Sequence, residues 1–79
     1  MIKKTNADRM IRIRDLCESN LGDVRGVYLK LRGNVWCATL KMTEGGFFEE
    51  ISVSDLEATE AVKGLKNRLK KIIKRYNTI

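Results

Sequence analysis

Apolar residues recur at three- and four-residue steps through Ala58, Ala61, Val62, Leu65, Leu69, Ile72, Ile73 and Tyr76. At roughly 100° per residue they form one stripe about 120° wide, the pattern of a helix packed on a core. Ser54 followed three residues later by Glu57 reads as a capping box, so this helix is expected over Ser54 to Tyr76. Its first turns carry Asp55, Glu57 and Glu60 and its last turns Lys and Arg, the order that the helix dipole favours. A shorter stripe of Met10, Ile13, Leu16 and Cys17 follows a second capping box, Thr5 with Asp8. Asn20-Leu21-Gly22-Asp23 reads as a stop, which places a first helix over Asn6 to Ser19.

Between the helices the period changes to two. Val27, Leu29 and Leu31 alternate with Tyr28, Lys30 and Arg32, and Gly33-Asn34 is a two-residue hairpin turn with glycine first. Closing the chain there pairs Leu31 with Trp36, Leu29 with Ala38 and Val27 with Leu40, so apolar partners share one face. Closing a second hairpin on Gly45-Gly46 pairs Leu40 with Ile51, Ala38 with Val53 and Lys41 with Glu50. Glu49 then falls on the apolar face beside Met42, near the sheet's end, where it snorkels out or a bulge corrects it. The expected fold is α+β: a helix, a three-stranded antiparallel meander and a C-terminal helix packed on one sheet face. That face holds Val27, Leu29, Leu31, Trp36, Ala38, Leu40, Met42, Phe47, Ile51 and Val53, and Gly64 allows the helix to approach it closely. The open face is expected to carry Tyr28, Lys30, Arg32, Val35, Cys37, Thr39, Lys41, Phe48, Glu50 and Ser52. Its apolar members, Tyr28, Val35, Cys37 and Phe48, make it a candidate surface for a homodimer.

Seventy-nine residues allow one small domain, spanning 1–79. The chain has no histidine and two cysteines, which removes the usual general base and leaves too few soft ligands for a structural zinc. The carboxylates are scattered and no glycine-rich phosphate loop is present, so no enzyme activity and no cofactor are expected. No apolar run exceeds four residues, which excludes a transmembrane span, and the two thiols read as reduced and cytoplasmic.

The net charge of +6 is uneven: +2 lies in residues 1–20, none in 21–53 and +4 in 54–79. From Lys63 to Arg75 there are seven basic residues and no acid. Lys63, Lys66, Lys70 and Lys74 lie along one flank of the helix and Arg68, Lys71 and Arg75 along the other. Such charge suits phosphate contact or a solvated helix face. Lys30, Arg32 and Lys41 among aromatic residues form a second candidate nucleic-acid site on the sheet.

Arg25-Gly26-Val27, the Trp36-x-Ala38-x-Leu40 strand and the acidic, alanine-containing start of the last helix resemble the ethylene-response-factor type of DNA-binding domain. They are also similar to the arm-type N-terminal domains of tyrosine recombinases. The resemblance covers about half the chain, Val24 to Leu65. It implies a three-stranded sheet laid in the DNA major groove, with Arg25, Lys30, Arg32 and Trp36 as contacts. The element order also looks like a double-stranded-RNA-binding domain, in topology only. The function expected is therefore a small cytoplasmic nucleic-acid-binding protein, with double-stranded DNA as the ligand. The alternative is a protein-interaction module, a regulator or inhibitor of phage or mobile-element type that binds an acidic protein partner.

Overall fold

The period-two region pairs in the register that its alternation requires. In the computed structural model, which describes residues 4–43, 45, 46 and 48–78, the order is α1 (Asn6–Asn20), β1 (Val24–Arg32), β2 (Val35–Met42), β3 (Glu50–Asp55) and α2 (Ala58–Thr78). The three strands form one antiparallel sheet in the order β1-β2-β3. Leu31 faces Trp36, Leu29 faces Ala38 and Val27 faces Leu40 across the first hairpin. Leu40 faces Ile51, Ala38 faces Val53 and Lys41 faces Glu50 across the second. Gly33 has φ 59° and among the described residues no non-glycine residue has positive φ, so the first turn is the Gly-first type whose twist matches its strands. The register shifts between Val24 and Gly26, where Arg25 forms a bulge.

The second connection is looser than a tight Gly45-Gly46 turn. Gly46 N–H donates to the Thr43 carbonyl at 3.0 Å, and Glu49 accepts from Met42 N–H at 3.1 Å. Strand β3 starts only at Glu50, so Glu49 stays exposed ahead of the sheet. Phe48 is not a member of the open face: it packs against the buried core. Phe47 lies outside the described residues.

α1 begins as expected. Thr5 Oγ1 accepts from Asp8 N–H at 3.1 Å, and Asp8 Oδ2 accepts from Thr5 N–H at 3.2 Å. These bonds hold the Asp8 carboxyl below the usual aspartate range, with Arg12 and Arg9 adding to the effect. α2 begins four residues later than its apparent capping box. Ser54 is still in the sheet, paired with Cys37, and its hydroxyl lies 3.3 Å from the Cys37 thiol. Asp55 takes over at the turn, where its Oδ1 accepts from Glu57 N–H at 3.1 Å. A serine three residues before a glutamate is a cap only where the chain has left the sheet, and here the ladder claims it first.

The core lies between the sheet and both helices. It contains Ile13 and Cys17 from α1, Ala38, Leu40, Met42 and Ile51 from the sheet, and Ala61, Val62, Leu65, Leu69 and Ile73 from α2. Leu65 and Leu69 are fully buried. A Cβ on Gly64 would stand 2.7 Å from Val53 Cγ1, so the glycine allows α2 to seat on β3. The stripe runs off the core at both ends: Leu31 on β1 is 56% exposed and Tyr76 on α2 is 47% exposed.

Candidate nucleic-acid interface

Helix α2 covers one side of the sheet, so basic residues on α2 and on the open sheet face cannot form one surface. Lys63, Lys66, Lys70 and Lys74 lie on the helix side; Lys30, Arg32 and Lys41 line the open sheet face. The two candidate sites therefore lie on separate surfaces.

On the helix side, α1 supplies what the α2 stripe lacks. Arg12, Leu16 and Ser19 from α1 meet Lys66 and Lys70 from α2 along a shallow groove. Lys66 is held below the usual lysine range by partial desolvation first, then by the positive charges of Lys70, Lys4 and Arg12. Asp15 also lines the groove, but its Oδ1 is 3.3 Å from Arg14 Nη2. Lys63 is exposed on the same helix, and Lys74 stands with Arg68, Lys71 and Arg75 on a separate shallow surface near the C-terminus of α2. Lys4 and Arg12 were absent from the sequence-derived site. The α1 stripe places Arg12 beside the apolar residues Ile13 and Leu16, which was the available signal, but only the pairing of the two helices points it at Lys66.

The open face is more neutral. Its floor carries two cross-strand pairs, Thr39 with Ser52 at 2.8 Å between hydroxyl oxygens and Cys37 with Ser54. Lys41 Nζ lies 3.7 Å from Glu50, which among the described residues leaves Lys30 and Arg32 as the cations of that face without an acid partner. Tyr28 is its exposed aromatic, and its ring folds back over Gly26. Trp36 has the opposite parity and packs on the core side, so the contact set of Arg25, Lys30, Arg32 and Trp36 is split between two faces.

Both cysteines are free. Cys17 is buried, and burial with help from Glu18 raises its thiol above the ordinary range. Among the described residues no group of His, Cys, Asp or Glu could hold a metal ion, and no helix is long and apolar enough to cross a membrane. No family model, curated protein or solved structure matches this chain.

Proposed function

We propose that this chain is a small non-catalytic nucleic-acid-binding protein of the cytoplasm, and that it grips duplex phosphates, of DNA foremost, with the α1–α2 face. The observation that carries this is the groove where Arg12 of α1 meets Lys66 and Lys70 of α2, with the acid on its lining, Asp15, held by Arg14. Dipole matching does not account for the cluster. That effect favours cations in the last turn of a helix. Lys4 instead precedes the N-cap of α1, and Lys66 and Lys70 lie before the last turn of α2. A rigid set of like charges from two packed helices costs the free protein electrostatic energy, and a polyanion relieves it. Aromatic stacking platforms serve single strands. None of Arg12, Asp15, Leu16, Ser19, Lys66 and Lys70 is aromatic, which favours a duplex backbone.

The test is duplex binding measured against salt. Neutralising about four phosphates gives a log–log slope near −3.6. Changing Lys66 and Lys70 together to Gln should reduce the slope by about 2, and adding Arg12→Gln by about 1 more. Under this assignment Lys30→Gln with Arg32→Gln leaves the slope unchanged. A wild-type protein without salt-dependent binding overturns the proposal, and so does a slope that responds only to Lys30 and Arg32.

A further inference from the structure

We propose that the free edge of β1 accepts an added strand from another protein, an extended segment in which carboxylates alternate with aliphatic residues. This inference does not depend on the nucleic-acid proposal. β1 is nine residues long and lies at the edge of the sheet, with β2 on one side and no strand on the other among the described residues. An edge of that length presents a row of backbone donors and acceptors to any strand that can dock.

The two faces of this edge strand state what the guest must carry. On the open side stand Lys30 and Arg32, both exposed, while Glu50, the acid of that face, is engaged by Lys41. On the other side Leu31 is 56% exposed, and Val27 and Leu29 border a shallow, mostly apolar groove of about 370 Å³ formed with Ala7, Met10 and Ile11 of α1 and rimmed by Asn6 and Arg14. Ile11 is itself 47% exposed. A strand repeats its facing every two residues, or about 7 Å. Carboxylates at alternate positions would therefore meet Lys30 and Arg32 while the intervening aliphatic side chains turn toward Leu29, Leu31 and Ile11. Main-chain bonds supply affinity and the alternate side chains supply selection.

The same charges weigh against a second copy of β1 in some registers. The strand holds Arg25, Lys30 and Arg32 and no acid. Antiparallel pairing of β1 with itself centred on Lys30 or Leu31 would set like charges opposite one another across the new ladder, which is unfavourable. Edge lysines commonly guard against self-association; here the guard also selects an acidic guest. The site lies on the flank of α1 opposite Arg12, so both proposed surfaces can be occupied in one molecule.

The experiment uses the full chain and two synthetic peptides of about eight residues and equal composition. One alternates Glu with Val; the other holds them in two blocks. The alternating peptide is expected to bind more tightly and to raise the exchange protection of β1 amides in particular. Lys30→Glu with Arg32→Glu should weaken it by about tenfold or more, from the loss of two favourable cross-strand pairs and their reversal. Lys66→Gln with Lys70→Gln should leave it unchanged. Equal binding of the block peptide overturns the proposal, as does protection that falls outside β1. Peptide binding that follows Lys66 and Lys70 also overturns it, as does displacement of the peptide by a single-stranded oligonucleotide through Lys30 and Arg32.

Discussion

The two sides of the sheet differ more than their sequences do. Each strand contributes alternate residues to both. The covered side buries Ala38, Leu40, Met42 and Ile51 beneath α2 and α1, while the open side keeps Thr39, Ser52, Cys37 and Ser54 in hydroxyl and thiol pairs. The difference teaches where the stability and the free charge of a small basic domain reside. Apolar area collects on the covered side. Cations outnumber acids at two places among the described residues: around Lys66 between the helices, where Asp15 is paired with Arg14, and at Lys30 and Arg32 on the edge strand, where Glu50 is paired with Lys41.

The largest expected effect breaks the covered side. Leu65 is fully buried, and Leu65→Ala should lower unfolding stability by about 2–5 kcal/mol in denaturant titrations. Thr39→Ala on the open side should cost about 1 kcal/mol or less, since its pair with Ser52 is part of an exposed surface. Comparable losses at the two sites would contradict the division.

Gly64→Ala sharpens the same comparison. Alanine gains about 1 kcal/mol of helix propensity. Its Cβ would lie 2.7 Å from a β-branched Val53 with little freedom to turn aside, and overpacking costs typically about 1–3 kcal/mol. A net loss is expected, and Val53→Ala in the same chain should recover part of it. An additive double variant would show that α2 does not seat on β3 at this point.

Thr5→Ala removes one half of the α1 cap and should cost about 1 kcal/mol. The Asp8 half is linked to pH. Because the folded Asp8 carboxyl lies below its ordinary value, its contribution is present above the usual aspartate range and is lost as pH falls through the lowered value. Asp8→Asn, which removes the titrating carboxyl, should therefore show a shallower loss of stability in acid than the wild type.

The smallest effect is expected at Lys66. Its folded pKa lies below the ordinary 10.5, so the unfolded chain binds more protons just below that value. Stability from this residue therefore rises as pH climbs through the lowered pKa, and at neutral pH added salt should raise Tm by screening Lys70, Lys4 and Arg12. Lys66→Gln should reduce both responses. An unchanged salt response in that variant would show that the cluster does not act on Lys66.

Local pattern was enough for most of the fold. Alternation from Val27 to Val53 determined the register, because a shift by one residue would turn Leu29, Ala38, Leu40 and Ile51 outward. The Thr5–Asp8 box determined where α1 starts, because its bonds join residues three apart and need no distant partner. The stripe of α2 determined which of its residues are buried, through Leu65, Leu69 and Ile73. Tertiary structure decided what depends on partners distant in the chain. It assigned Ser54 to the ladder with Cys37 rather than to the α2 cap, packed Phe48 against the core, and left Leu31 and Tyr76 beyond the packed layer. It also decided the electrostatics of both candidate sites. A helical period places Lys66 and Lys70 on one flank, but only the packing of α1 on α2 brings Lys4 and Arg12 to them. The charge of a cluster depends on which elements meet and not on their spacing along the chain.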